Sequence, residues 1–264
     1  MSPTATVSVP DSAVLKPGSL ILITGVLGYI GAHLADQLLL RGYKVRGVVR
    51  KPADWLLEIF DSKYGKATLE TWFLADLTDE EGLSKAMQAS DVSFSPDPNV
   101  VIPIAVNLAT TALKAAAKAS SVQRFVLTSS SAAASVCVPN TPRTITASSW
   151  ADGSIEQARQ PGPYTPDRGM STYGASKALA EQAIWNWAKE NKSRDLVVNT
   201  VLPDFNLGLP ISPEHQGWPS SRIFGYAEPK NANGILRRYK ELYPNREFAD
   251  EDPEEGEDLG VKTG

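Results

Sequence analysis

Apolar and polar positions alternate along the first 200 residues with two different periods. The short, continuous apolar run at 19–24 predicts a buried strand, and further strands are predicted at 44–49, 68–75, 124–128 and 196–202. Other segments repeat apolar residues every three or four positions, which predicts helices at 29–41, 54–64, 79–88, 104–119 and 172–190. This alternation is typical of an α/β fold, a Rossmann-type doubly wound parallel sheet with helices on both faces.

One strand that this alternation requires is missing from the sequence. Between the helices predicted at 79–88 and 104–119, the segment ASDVSFSPDPN offers only residues 91–94, which Ser93 interrupts and two prolines follow. A central parallel strand normally needs about five mostly apolar residues. We therefore expect a sheet without its fourth strand, unless residues 91–94 or the helix at 79–88 partly fill the gap.

Composition narrows the class of protein. The chain has 264 residues, of which 42% are hydrophobic and 21% charged, as is typical of a globular protein. Its net charge of −4 provides no excess of positive charge that would attract nucleic acid or an anionic membrane. A single cysteine and two histidines argue against a disulfide framework and a Cys- or His-rich metal centre. Leu20–Leu40 is long enough to cross a bilayer, but three glycines, His33 and Asp36 interrupt it. With no signal-peptide pattern at the start, we expect a cytoplasmic protein without a membrane partner.

A glycine-rich loop joins the first predicted strand to the first predicted helix. Residues 24–31 read TGVLGYIG. In this context Gly25 permits a tight turn, Gly28 lets a pyrophosphate approach the helix N-terminus, and Gly31 lets the helix pack on the sheet. A glycine-rich turn without a ligand is the alternative. The residues predicted to bind a dinucleotide here are Gly25, Gly28, Tyr29, Ile30 and Gly31.

Basic residues end the second predicted strand, where NAD-binding proteins of this type usually carry a carboxylate. Arg50, helped by Lys51, could pair with a ribose 2′-phosphate, which favours NADP over NAD. The alternative is that both side chains are merely solvated. Asp76 and Leu77, after the third strand, are placed to contact adenine, although helix capping would equally explain Asp76.

A tyrosine and a lysine stand four residues apart in the helix predicted at 172–190. This spacing puts Tyr173 and Lys177 on one face, and a nearby ammonium group stabilises a phenolate, which suits the tyrosine to general-acid work. The strand at 124–128 ends in Ser129–Ser131, and a hydroxyl there can bind a substrate carbonyl. Alone, a YxxxK spacing occurs by chance in many helices, but the glycine loop and the serines appear in the matching order.

The motifs together resemble the extended short-chain dehydrogenase/reductase family. Within it, the chain is similar to fungal NADPH-dependent aldehyde and ketone reductases, relatives of dihydroflavonol and cinnamoyl-CoA reductases. The resemblance extends over about residues 19–248 and is carried by TGVLGYIG (24–31), VRGVVRK (45–51), ADL (75–77), FVLTSSSAA (125–133), YGASK (173–177) and VLPDFNLG (201–208).

The resemblance implies a function and a role for each site residue. The chain would reduce a small hydrophobic aldehyde or ketone with NADPH. Ser130 would bind the carbonyl (Ser129 or Ser131 if the register is shifted by one), Tyr173 would protonate the oxygen, Lys177 would hold the ribose, and Pro203 would begin the loop that passes the nicotinamide. Tyr173, Lys177 and Pro203 would thus also bind the cofactor. A homodimer is also expected, because the helix that carries Tyr173 often lies at a dimer interface in related folds.

The chain departs from the family pattern in two places. The fourth strand is absent before residue 89, and a helix–strand–helix piece is absent near residues 220–222, after which a helix is predicted at about 233–242. We therefore predict an NADP-binding domain at 19–203 and a reduced substrate-binding region at 204–248, with disordered tails at 1–18 and 249–264. The departures keep two alternatives open: a non-catalytic NADP-binding protein, and a sugar-nucleotide epimerase or dehydratase.

Overall fold

The computed structural model divides into two compact units, which are described separately. The first consists of Met1–Ala75 with Phe205–Gly264, and the second of Asp76–Asp204. The structure describes residues 13, 15–50, 52–73, 95–136, 141–191, 196–204, 206, 208–217, 237 and 240. The predicted domain boundaries at residues 18, 203 and 248 stay predictions.

The first unit is built on a three-stranded parallel sheet with two connecting helices. The strands lie in the order β1–β2–β3, with Ile21 opposite Val45 and Val45 opposite Leu69. The elements are β1 (Leu20–Thr24), α1 (Tyr29–Leu40), β2 (Lys44–Val49), α2 (Asp54–Tyr64) and β3 (Leu69–Phe73). The predicted bounds of β2 and α2 are confirmed to the residue, and the apolar stretch 20–40 is a strand, a loop and a helix rather than a membrane span.

Both helices of the first unit pack on the same face of this sheet. Phe60 and Leu56 of α2 are fully buried in one core with Ala35 of α1, Val45 of β2 and Leu69 of β3. Strand alternation then points Leu22 and Trp72 to the opposite face, where they are 58% and 51% exposed. Arg46 forms an ion pair with Glu70 on that face and lies over the Trp72 ring.

The second unit packs three helices around a two-stranded parallel sheet. Its elements are α3 (Pro98–Lys118), β4 (Arg124–Thr128), α4 (Asp152–Ala158), α5 (Gly169–Glu190) and β5 (Val197–Val201), with short 3₁₀ turns at Ser131–Ala133 and Pro166–Arg168. Leu113 of α3 and Ile184 of α5 are fully buried against each other's helices and the apolar face of the sheet. A last short helix, α6 (Pro213–Gln216), belongs to the first unit.

Two helices differ from the sequence prediction in this unit. The start of α3 was predicted at residue 104 and is wrong by six residues, because the Asp97 carboxylate caps the N–H of Asn99 and Pro98 occupies the first helical position. The seven-residue α4 was not predicted. In addition, α3 is long and apolar enough by length and composition to cross a membrane, and it passes this test alone within the described ranges.

The strands form two sheets, β1–β2–β3 and β4–β5. Within the described residues, no strand joins β1 to β4. The helix predicted at 79–88 and the weak strand candidate at 91–94 lie outside those residues, as does the helix predicted at 233–242 except for Arg237 and Lys240, which are helical. The α/β class and the parallel strand order are confirmed, and the absence of the fourth strand stays a prediction.

Candidate active site

The glycine loop turns the chain sharply from β1 into α1. Gly25 has a φ of +68°, a conformation that side chains other than glycine rarely adopt, and its carbonyl accepts the N–H of Gly28 at 3.0 Å. Gly28 is the extended residue before α1, and no side chain caps this end of the helix. The N–H groups of the first turn, including those of Tyr29 and Ile30, are therefore oriented to receive an anion.

Close packing of α1 on this loop depends on Gly31. A Cβ built on Gly31 would overlap the carbonyl oxygen of Gly25 and lie 2.8 Å from its carbonyl carbon. Both neighbours are backbone atoms, which cannot rotate away. The loop is also held from the sheet side, because the fully buried Val26 side chain fills the space left by Gly47 in β2. Gly31 is thus required by the shape of the loop.

Arg50 lies at the same end of the sheet as the glycine loop. Thr24 at the end of β1 pairs with Val48 of β2, so parallel strands bring Gly25 and Arg50 to one edge. Arg50 is exposed, and its guanidinium can therefore reach a ligand that lies at this edge. The other residues predicted to bind the cofactor in this part of the chain, Lys51, Asp76 and Leu77, lie outside the described residues.

A C-terminal segment, residues 208–217, folds back onto the glycine loop, which the sequence did not predict. The Gln216 side chain donates to the Leu27 carbonyl at 3.0 Å, and His33 Nε2 donates to the Leu209 carbonyl at 2.9 Å. The His215 ring stacks on Trp55 with 4.8 Å between ring centroids. These partners are up to 189 residues apart, so no local sequence period could reveal them. Burial also raises the pKa of the Tyr29 phenol.

The three candidate serines follow β4 and differ in their partners. Ser130 is buried, and its Oγ accepts the N–H of Ala132 at 3.2 Å to open the 3₁₀ turn. The Ser131 Oγ donates to Asp204 Oδ1 at 3.0 Å. Ser129 is buried, and its Oγ has no hydrogen-bond partner among the described residues. Because the Ser130 oxygen is an acceptor in the turn, its own O–H can donate to a substrate oxygen.

Backbone hydrogen bonds hold the serine turn against the end of β5. The Ser129 N–H donates to the Val201 carbonyl at 2.8 Å, and the Ser131 N–H donates to the Pro203 carbonyl at 2.9 Å. The loop predicted to pass the nicotinamide therefore begins directly beside the predicted carbonyl-binding serine.

The predicted tyrosine–lysine pair lies on one face of α5. The Lys177 Nζ is 5.6 Å from the centroid of the Tyr173 ring, and both side chains are half-buried. The ammonium group therefore lies near the aromatic ring of Tyr173. The helix begins at Gly169, three residues before the predicted start, so Tyr173 lies within its second turn.

Gly174 brings α5 into contact with the serine turn. A Cβ at this position would lie 2.8 Å from Val136 Cγ2, 3.1 Å from Ser154 Oγ and 3.2 Å from the Ala132 carbonyl oxygen. The neighbouring Ala175 and Ala178 are fully buried against Ala133 of the same turn. Small side chains on both elements thus allow the close approach that puts Tyr173 next to the Ser130 turn, and Gly174 was not predicted from the sequence as a site residue.

The structure groups the predicted residues by unit. The first unit holds the candidate dinucleotide contacts Gly25, Gly28, Tyr29, Ile30, Gly31 and Arg50. The second unit holds Ser130, Tyr173, Lys177 and Pro203. Each group is assembled within its own unit from residues that are distant in sequence.

Comparisons with known proteins point to one family. The family model described as "NAD dependent epimerase/dehydratase family" matches residues 21–203. The NAD-dependent epimerase/dehydratase terH of Aspergillus terreus is 34% identical over 88% of this chain and 71% of that protein. Aldehyde reductase 2 of Sporidiobolus salmonicolor is 31% identical over 94% of this chain and 88% of that protein. The ketoreductase nvfG of Aspergillus novofumigatus is 31% identical over 81% of this chain and 65% of that protein.

A solved structure shows the same fold. The yeast methylglyoxal/isovaleraldehyde reductase, complexed with NADPH, superposes with a TM-score of 0.53 at 23% identity, over 71% of this chain and 58% of that one. The resemblance to the extended short-chain dehydrogenase/reductases is therefore confirmed, and the chain belongs to the NAD dependent epimerase/dehydratase family, with relatives that are named aldehyde reductase and ketoreductase.

Proposed function

We propose that this protein is an NADPH-dependent oxidoreductase that reduces a hydrophobic aldehyde or ketone to an alcohol. The observation that carries the proposal is the pairing of Tyr173 with Lys177 on a helix that packs, through Gly174, against the turn opened by Ser130. Carbonyl reduction needs a hydroxyl group that binds the carbonyl oxygen and a phenol that protonates it, with an ammonium group beside the phenol. The reductase names of the relatives support the same reaction.

The residues of the first unit fit a dinucleotide phosphate. The uncapped start of α1 offers N–H groups to the pyrophosphate, and Arg50 offers a guanidinium to a 2′-phosphate at the same sheet edge. No carboxylate follows β2 directly, which removes the usual partner of an NAD ribose. We assign Lys51 to the same phosphate, and Asp76 with Leu77 to adenine, on the sequence alone. NADPH, when bound, supplies the hydride for the carbonyl carbon.

The residues of the second unit supply the proton and hold the substrate. Ser130 donates its O–H to the carbonyl oxygen, which polarises the bond and fixes the substrate. Tyr173 transfers its phenolic proton to that oxygen as negative charge develops there, so that the hydride and the proton together complete the alcohol. Lys177 stabilises the phenolate that remains and binds the ribose. Pro203 begins the loop that passes the nicotinamide. A homodimer in the cytoplasm remains our expectation.

Nucleotide titration tests the cofactor part of the proposal. Purified protein is titrated with NADPH and, in parallel, with NADH, and binding is followed by nucleotide fluorescence. We expect saturable binding in the micromolar range for NADPH and weaker binding for NADH. Preference for NADH, with a requirement for a sugar nucleotide, would instead favour the epimerase or dehydratase alternative.

Arg50→Glu is expected to weaken NADPH binding by at least about tenfold and to leave NADH binding within about twofold, since a charge-assisted pair contributes about 1.5–3 kcal/mol. Fluorescence titration of both nucleotides measures this. Lys44→Glu is the matched control, because Lys44 is an exposed cation at the opposite end of the same strand. Equal losses for NADPH and NADH in the Arg50 variant would contradict the assignment.

Gly174→Ala is expected to lower kcat by about 10- to 100-fold, because the added methyl group must push α5 away from the serine turn. Alanine favours a helix over glycine by about 1 kcal/mol, so lost helix propensity would not explain the defect. Adding Val136→Ala removes the 2.8 Å contact and should restore part of the rate. Wild-type kcat in the single variant would show that the close approach is not required.

The predicted absence of the fourth strand favours a second candidate, an NADP-binding protein with little or no activity. The strands of the described residues form two separate sheets, and the unpaired central backbone that loss of the fourth strand would leave is costly to a fold whose total stability is about 5–15 kcal/mol. This candidate predicts NADPH binding without turnover of any carbonyl compound. A cooperative thermal transition together with turnover would eliminate it.

A further inference from the structure

A buried carboxyl group, which has no cationic partner among the described residues, lies on the helix that carries the candidate catalytic pair. Glu181 of α5 is only 5% exposed, although glutamate is rarely buried to this extent without a charged partner. In the described part of the chain, no lysine, arginine or histidine forms an ion pair with it. Burial of this carboxyl group therefore costs desolvation free energy, which no ion pair in the described part of the chain offsets.

The contacts of Glu181 connect the helix to the sheet. Its Oε1 accepts the hydroxyl of Thr200 at 2.7 Å and the indole N–H of Trp185 at 3.4 Å. Its Oε2 is buried and has no hydrogen-bond partner among the described residues. Among the described hydrogen bonds, the bond to Thr200 is the one between side chains that joins α5 to β5.

Both ends of this bond lead directly to the candidate site. Tyr173 and Lys177 precede Glu181 by eight and four residues, so the three side chains lie on adjoining turns of one helix face. At the other end, Thr200 pairs in register with Leu127 of β4, and the carboxyl ends of these two strands lead to Ser130 and Pro203. A single side-chain bond thus relates the helix that carries the pair to the strands that carry the serine turn.

We propose that Glu181 is a positioning residue, which fixes the rotation and axial position of α5 on the β4–β5 sheet through Thr200 and so holds Tyr173 and Lys177 beside the Ser130 turn. Small packing residues dominate the other contacts of this helix with the turn, and such smooth surfaces permit sliding. A directed hydrogen bond in a buried setting resists it. The inference rests on the proposed reductase function.

Three variants test whether the hydrogen bond between Glu181 and Thr200 positions the helix. Glu181→Leu and Thr200→Val each remove the hydrogen bond, and each is expected to lower kcat about tenfold with little change in the Kd for NADPH. The double variant should lose no more than the worse single variant, because both act on one bond. Glu181→Gln keeps an acceptor oxygen for Thr200 and should retain kcat within about twofold. Glu190→Leu, an exposed position on the same helix, is the matched control.

Rates are measured per folded protein, well below each variant's thermal midpoint, so that lower stability alone does not change kcat. Hydrogen–deuterium exchange of peptides covering residues 169–177 gives a readout that needs no turnover. We expect faster exchange there in Glu181→Leu and Thr200→Val but not in Glu181→Gln. The proposal would be overturned if kcat and exchange were unchanged in both Glu181→Leu and Thr200→Val, or if Glu181→Gln lost as much kcat as these two variants. If the wild type showed no turnover but the variants showed this exchange pattern, the reductase function would be refuted and the positioning role of Glu181 would be supported.

Discussion

Tyr173→Phe is expected to reduce turnover of a carbonyl substrate at least about 100-fold, because it removes the hydroxyl that is proposed to donate the proton. The ring that lies 5.6 Å from the Lys177 ammonium remains, so packing of α5 on the serine turn should not change. The Kd for NADPH should stay within about threefold of wild type, since the nucleotide's phosphates are assigned to other residues. Steady-state kinetics and nucleotide titration on the same preparation measure both quantities.

The matched control for this variant is Tyr164→Phe in the same unit. The Tyr164 hydroxyl accepts a hydrogen bond from the Asn99 side chain at 2.8 Å, so the control also removes one hydroxyl and one hydrogen bond. We expect nearly normal kcat from it. Turnover by Tyr173→Phe at the wild-type rate would contradict the assigned role and would direct attention to another acid.

Gly31→Ala is expected to abolish measurable NADPH binding and to lower the free energy of unfolding by about 1–3 kcal/mol or more. The added methyl group would overlap the Gly25 carbonyl, a backbone group that must move for α1 to stay in place. Such a shift opens the turn whose N–H groups are proposed to receive the pyrophosphate. Thermal unfolding without nucleotide and fluorescence titration with NADPH separate the two effects.

Gly153→Ala provides the control for the change of glycine to alanine. A Cβ at Gly153, in the helix α4, would meet no atom within 4 Å. Alanine should therefore be tolerated there and should slightly raise stability through helix propensity. If Gly31→Ala bound NADPH as tightly as the wild type, the glycine loop would not be the phosphate site.

The sequence predicted best those elements whose limits are set locally. The strand 44–49 lies between Gly42 and the basic residues Arg50 and Lys51, and the helix 54–64 ends at Gly65, so neighbouring residues fix both. The start of α3 depends on the Asp97 cap within a polar segment that resembles a loop, and the period of apolar residues does not report it. The short α4 is defined mainly by packing of Ile155 and Ala158 against α5, which is a tertiary effect.

In the candidate site, too, the sequence predicted those features that are defined by neighbouring residues. Tyr173, Lys177 and the glycine loop could be predicted because each motif is contiguous and its spacing has a physical meaning. Gly174 and Glu181 were missed, since a glycine beside a motif and a glutamate in a polar helix look ordinary until their neighbours are known. The contacts of residues 208–217 with the glycine loop were missed because they join distant parts of the chain.

The proposed function requires hydride transfer from NADPH to a carbonyl carbon, and isotope transfer detects this step directly. The wild-type protein is incubated with NADPH deuterated at the transferring carbon and a panel of hydrophobic aldehydes and ketones, and the products are analysed by mass spectrometry and NMR. We expect an alcohol with one deuterium at the former carbonyl carbon, formed by the wild type and not by Tyr173→Phe. NADPH binding without deuterium transfer to any compound would contradict it and favour the non-catalytic candidate.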